Sequence, residues 1–298
     1  MSVVRKPVAQ IDVGFVDKPA IQLLRVLFPI LSKLAPSLAA KISLRIFLTP
    51  QRFKTPKWEM EYQRSATRRS IRVGDHRVET YSWGEGSRKI LLCHSWGGRG
   101  TQLASFVKPL VERNCTVVTF DAPAHGRSTG KFTDMVEYSS TINEVVRNYD
   151  GFDAIIGHSF GAGNTMYSKH LYGFDVERIV LIGCFAHGSW VTERFGEILN
   201  IPSKIVARMR GLLEEKYDNL LRWDELDIVR MVDRDSSRVM LVHDMDDKEI
   251  PYFNAMKFME TCEAKVVFVS SNKLGHRRIL RDARIVGEVC DFAAANPV

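Results

Sequence analysis

The sequence predicts a three-layer α/β fold: a mostly parallel central sheet flanked by helices, with a helical insertion late in the chain and a helical extension before it. Three observations carry this. From about Ile71 onward, short β-rich runs alternate with helical patterns. Several runs are nearly continuous in apolar residues, such as Ile90-Leu91-Leu92-Cys93 and Ile179-Val180-Leu181-Ile182, as strands buried on both faces require. One interval of about fifty residues breaks the rhythm, too long for an unstructured loop in a compact domain.

The strands are expected at Arg77–Trp83, Lys89–His94, Thr116–Asp121, Ala154–His158, Arg178–Cys184, Arg238–His243 and Lys265–Ser270. Between them fall helical patterns at Thr101–Arg113, Met135–Tyr149, Gly161–Leu171, Tyr252–Thr261 and Arg278–Ala294. In the long interval Glu193–Asn200 and Pro202–Glu215 read as helices, so a helical insertion is placed at about 186–236. The organisation is therefore an N-terminal arm, 1–70, and a core, 71–298, that carries the insertion. No internal repeat or low-complexity segment is evident.

The chain has 298 residues, 45% hydrophobic and 26% charged, the composition of a globular protein with ample core. No apolar stretch approaches the ~20 residues of a membrane span. Ile21 to Leu48 comes nearest, but Arg25, Pro29, Lys33, Pro36, Lys41 and Arg45 interrupt it. Met1 to Asp17 makes a poor leader, so an unprocessed cytoplasmic protein is expected. Five scattered cysteines without C-x-x-C spacing argue against a disulfide framework or a zinc site.

The net charge of +7 is concentrated in the arm. Lys18 to Trp58 holds eight basic residues and no acid; of 42 basic residues, the other 34 face 35 acids elsewhere. The same segment is rich in Leu, Ile, Val and Phe, and two short helices are expected, with Pro29 and Pro36 marking a kink or breaks. One reading is an interfacial helix pair drawn to anionic lipid, giving peripheral membrane contact. The favoured reading is an arm packed on the protein's own body or on a second subunit of a homodimer, because cations about eight residues apart make no clean polar face. No nucleic-acid recognition motif accompanies the charge.

Gly157-His158-Ser159-Phe160-Gly161 follows the apolar strand Ala154-Ile155-Ile156 and opens a helical pattern. This is G-x-S-x-G in its strand–turn–helix context. A sharp turn would lift Ser159 Oγ clear of the sheet, and a helix N-terminus behind it favours negative charge. A serine nucleophile needs a base, and the base an orienting acid. Among eight histidines only His276 lies in a loop between a late strand and the final helix. The acid is expected after Arg238–His243, where Asp244, Asp246, Asp247 and Glu249 compete. For an oxyanion, backbone N–H groups of Trp96, in His94-Ser95-Trp96-Gly97-Gly98, and of Phe160 are the candidates.

With these segments and Asp121-Ala122-Pro123-Ala124-His125-Gly126-Arg127-Ser128, the chain resembles the α/β-hydrolase superfamily from about Arg72 to Ala294, roughly three quarters of its length. The arm leading into Phe47-Leu48-Thr49-Pro50 is similar to that of uncharacterised bacterial members. The family's spacing, three residues after the strand-end pair and four before a proline, selects Asp247 over Asp244 and Asp246. The resemblance implies that the insertion is a lid over the site. Ser95 stands where His-Gly is usual and is expected to narrow the oxyanion loop. Asp244 replaces a glycine and adds negative charge near the acid, and Ala124 replaces another glycine. Asp121, His125 and Ser128 are expected to be structural.

Residues and resemblance together imply a serine esterase acting on a small-molecule acyl substrate without metal or organic cofactor. Trp190, Phe195, Ile198, Ile201, Val206 and Met209 of the insertion suggest that the substrate is partly apolar. The alternatives are a non-catalytic ligand-binding or scaffold member of the fold, and a membrane-associated lipid hydrolase using the arm.

Overall fold

The computed structural model describes residues 18–218 and 220–296. Expectations for 1–17, the leader segment and the first part of the arm, lie outside the described residues.

Three helices come first: α1 (Pro19–Leu34), α2 (Pro36–Phe47) and α3 (Lys57–Ser65). The core then runs β1 (Thr67–Val73), β2 (His76–Trp83), β3 (Arg88–Cys93), a 3₁₀ segment (Gly100–Phe106), α4 (Val107–Glu112), β4 (Cys115–Asp121), α5 (Met135–Asn148), β5 (Ala154–His158), α6 (Phe160–Tyr172) and β6 (Arg178–Ile182). The insertion supplies α7 (Gly188–Leu199), α8 (Ser203–Lys216) and α9 (Ile228–Arg234). The chain closes with β7 (Arg238–Asp244), α10 (Phe253–Cys262), β8 (Val266–Ser271), α11 (Gly275–Arg278) and α12 (Ala283–Ala294).

The strands form one sheet of eight in the order β1-β2-β4-β3-β5-β6-β7-β8. β2 is antiparallel to both β1 and β4, and every other pair is parallel. Because side chains alternate across the pleat, continuous apolar runs feed two cores. Leu91, Cys93, Ile155, Ile179, Leu181 and Leu241 face one, with α5, α6 and α10. Ile90, Leu92, Ile156, Val180, Ile182 and Val242 face the other, with α4 and α12. This double burial is why the strands read as apolar blocks and not as alternating ones.

β1 was not among the expected strands, and the boundary at 70/71 falls inside it. Its first four residues, Thr67 to Ser70, are exposed, so an edge strand with little apolar signal escapes a search for buried runs. The expected helix at 101–113 splits into the 3₁₀ segment and α4, and that at 278–294 into α11, a 3₁₀ turn and α12. Pro29 lies inside α1, whereas Ala35 breaks the chain and Pro36 begins α2.

The arm packs on the protein's own insertion. Phe28, Ala39 and Ala40 of the arm share one buried cluster with Leu199, Ile201, Ile205, Val206 and Met209. Arg25 Nη1 donates to the carbonyls of Glu197 (3.0 Å) and Ile198 (2.5 Å), and Asn200 Nδ2 donates back to the Arg25 carbonyl (3.0 Å).

Candidate active site

Ser159, Asp247 and His276 lie beyond the C-terminal ends of the parallel strands β5, β7 and β8. Crevices at that edge are where open α/β sheets bind ligands. Ser159 has φ 56° and ψ −115°, a left-handed conformation rare for a residue with a Cβ. Such strain costs about 1–3 kcal/mol and persists only where the surroundings hold it. Here Ser159 N–H donates to the Ile182 carbonyl at 2.8 Å, and its own carbonyl accepts from Ala162 N–H at 3.0 Å. The flanking glycines make the turn possible. A Cβ on Gly161 would lie 2.4 Å from the Cys93 carbonyl oxygen, and one on Gly157 2.6 Å from Ala162 Cα.

His276 Nδ1 lies 2.6 Å from Asp247 Oδ2, both side chains buried. A carboxylate only accepts, so Nδ1 carries the proton and Nε2 offers its lone pair. Asp247 Oδ1 accepts from the N–H groups of Glu249 (2.9 Å) and Ile250 (2.8 Å), which fixes the carboxylate plane. Gly183, a residue the sequence reading did not single out, makes room for this pair. Its φ is +56°, and a Cβ there would meet His276 Nδ1 at 3.2 Å and Asp247 Oδ2 at 3.5 Å.

Asp244 and Asp246, weighed as alternative acids, hold the segment leading into α11, the short helix that carries His276 where a loop was expected. Asp244 Oδ2 accepts from Ser271 Oγ (2.7 Å) and Leu274 N–H (3.1 Å); its Oδ1 accepts from Gly275 N–H (2.8 Å) and Asp246 N–H (3.0 Å). Burial pushes its carboxyl upward, but these hydrogen bonds outweigh burial and hold it below the usual range. Asp246 Oδ2 accepts from Lys273 N–H at 2.7 Å. The charge that Asp244 adds is thus spent on backbone N–H groups and a hydroxyl.

Four further histidines are buried and held uncharged. His94 Nδ1–H donates to the Ser95 carbonyl (2.8 Å) while Nε2 accepts from Ala122 N–H (3.0 Å). His125 Nδ1–H donates to the Pro123 carbonyl (2.9 Å) while Nε2 accepts from Gly97 N–H (3.0 Å). Burial lowers them to about 4 and about 3. His243 donates to the Ile250 carbonyl (2.7 Å) and is also lowered by burial. His158 packs on the His276 ring at 4.5 Å and donates from Nε2 to the His276 carbonyl at 2.9 Å. Burial, then the nearby His276, keeps His158 well below the usual histidine range.

Phe160 N–H, at the first position of α6, has no intrahelical acceptor. The Trp96 loop is held by a turn from Gly98 N–H to the Ser95 carbonyl (2.9 Å) and by the bond from Gly97 to His125. The Trp96 and Phe160 rings meet edge to face at 5.0 Å. The Ser95 N–H and hydroxyl both donate to Gln102 Oε1 (2.8 and 3.0 Å). Asp121 organises its turn, accepting from Gly100 N–H (2.7 Å), Arg127 N–H (2.8 Å) and Tyr81 Oη (2.8 Å).

The chain after α2 straps across these loops. Arg52 donates to the carbonyls of Ala124, Ser128 and Gly130 (2.9–3.1 Å). Buried Glu59 accepts from Arg99 Nη1 and Thr101 Oγ1, each at 2.9 Å. Of the insertion's six apolar residues named above, Phe195, Ile198, Ile201, Val206 and Met209 pack in the arm cluster. Trp190 instead packs toward the sheet, 6.0 Å from Phe253. Five of the six thus take part in packing the arm against the insertion. Among the described residues no group of three His, Cys, Asp or Glu is placed to hold a metal ion.

A family model described as "Alpha/beta hydrolase family" matches residues 90–276, and the chain belongs to that family. No curated protein matches the sequence. Among solved structures it is similar to Est1E from Butyrivibrio proteoclasticus, solved with ferulic acid (18% identity, 76% of this chain and 100% of that one, TM-score 0.59). It is similar also to the esterase EaEST from Exiguobacterium antarcticum (15%, 76% and 99%, 0.58). A bromoperoxidase from Bacillus anthracis matches as well (14%, 77% and 100%, 0.58). At these identities the likeness is one of fold, and the fold carries more than one chemistry.

Proposed function

We propose that the protein is a serine hydrolase cleaving a carboxylic ester of a small acyl compound through a Ser159–His276–Asp247 triad. The observation that carries this is the 2.6 Å contact of His276 Nδ1 with Asp247 Oδ2, set at the sheet edge that also holds the strained Ser159 turn. Ser159 Oγ attacks the carbonyl carbon and His276 Nε2 takes its proton. Asp247 steadies the resulting imidazolium. The N–H groups of Trp96 and Phe160 receive the oxyanion, a preorganised contribution commonly worth 10²–10³ in rate per donor. His276 then protonates the departing alcohol, and water, deprotonated by the same imidazole, releases the acid. Neutral His158 against the His276 ring adds no repulsion as His276 becomes charged. The helices at 186–236 serve as the lid. Thioesters, lactones and amides obey the same chemistry and form the first comparison set.

The test is intact-mass labelling with a fluorophosphonate. Wild type is expected to take one adduct and Ser159→Ala none, after which p-nitrophenyl esters of graded chain length define the acyl group. A folded wild type that takes no adduct would overturn the catalytic reading in favour of a ligand-binding member of the fold.

A further inference from the structure

Helix α1 is apolar on two opposite faces. Ile21, Leu24, Phe28 and Leu31 pack with the insertion. Leu23, Val26, Leu27, Ile30 and Leu34 are exposed, from 46% at Leu27 to 80% at Leu34. Their spacing of i, i+3, i+4, i+7 and i+11 gathers them into a stripe roughly 100° wide. Leu38, 50% exposed, extends it at the start of α2. The orientation is fixed, because Arg25 on the inward side is bonded to the Glu197 and Ile198 carbonyls. Contiguous aliphatic surface on a folded protein marks an interaction site.

The charge around the stripe narrows the occupant. Lys18, Lys33, Lys41 and Arg45 are exposed on the same segment, and no acid occurs from Lys18 to Trp58. A second copy docked through this face would set the patch against itself, as two-fold interfaces do, and oppose cation to cation with no acid on α1 or α2 to pair with them. An anionic bilayer answers both features: acyl chains accept the aliphatic stripe and headgroup phosphates the cations.

We propose that the exposed face of α1, from Leu23 to Leu34 with Leu38, docks the protein on an anionic lipid surface. The helix lies in the interface plane; no described helix is long and apolar enough to cross a membrane. Since α1 and α2 pack on α7 and α8, docking holds the insertion beside the bilayer. The inference stands whatever Ser159 does.

Flotation of the full-length protein tests it, with phosphatidylcholine vesicles that contain about one third phosphatidylglycerol and with vesicles of phosphatidylcholine alone. Wild type is expected to float with the anionic vesicles and to bind the neutral ones about tenfold less. Combined Leu23→Ser, Ile30→Ser and Leu34→Ser is expected to reduce anionic binding about tenfold or more. Lys33→Glu with Lys41→Glu is expected to do likewise. All five side chains are exposed, so an unchanged Tm certifies folding. Equal binding by wild type and the triple serine variant would overturn the proposal. So would a wild type that ignores both vesicles but is a dimer by light scattering, made monomeric by the serine substitutions; the occupant would then be a second copy.

Discussion

Asp244 accepts the backbone N–H of Gly275 at 2.8 Å, and Gly275 is the residue immediately before His276. One carboxylate thereby ties the end of β7 to the loop after β8. Asp247, three residues further on, holds the imidazole itself. The two acids divide the work: one places the loop, the other the ring.

Asp244→Ala is therefore expected to strand the partners Ser271 Oγ and the N–H groups of Asp246, Leu274 and Gly275. Each buried group left unpaired costs about 1–3 kcal/mol, less where water enters. Urea unfolding should show a loss of about 2–4 kcal/mol. Fluorophosphonate labelling of Ser159 should slow with it, while Asp244→Asn retains much of both. An Asp244→Ala protein as stable and as reactive as wild type would remove the loop-holding role.

Gly183→Ala places a methyl 3.2 Å from His276 Nδ1 at a residue with φ +56°. The backbone strain is expected to cost about 1–2 kcal/mol in unfolding free energy. The displaced ring should cost about tenfold or more in labelling rate, given how steeply reaction falls with misplacement. Labelling at the wild-type rate would show that the ring tolerates the contact.

Stability should fall with acid earlier than carboxylate titration explains. His94 and His125 are lowered from 6.5 to about 4 and about 3, and burial lowers His158 and His243 in the same direction. The unfolded chain binds these protons first, so their contribution is complete above pH 6.5 and is lost as pH falls toward the folded values. Glu137, raised by burial, acts in the opposite sense, but it is one group against four. Urea midpoints should drop between pH 6.5 and 5; a flat profile there would contradict the neutral, buried assignment.

Glu59→Ala tests the strap across the loop that follows Trp96. It leaves Arg99 buried without its carboxylate and Thr101 without its acceptor. Removing one member of such a buried pair costs about 3–5 kcal/mol. Calorimetry should show a marked fall in Tm, and an unchanged value would mean that the pair is dispensable.

Much of this was legible because it is local. Apolar blocks marked the central strands, and G-x-S-x-G between a strand and a helix marked the turn at Ser159. His276 followed from its place between a late strand and the last helix. Resemblance, more than residue chemistry, separated Asp247 from Asp244. β1 was missed because an exposed edge strand has no buried block to display.

The α/β layering, the serine turn and the charge asymmetry of the arm are written in neighbouring residues, by period, steric need or count. Where the arm goes, what Asp244 and Gln102 bind, and why Gly183 must be small follow from the folded chain alone. Those contacts join residues far apart in sequence, Arg25 to Glu197 and Gly183 to His276 among them. Tenths of an ångström decide such contacts, and no periodicity along a chain encodes a distance across a fold.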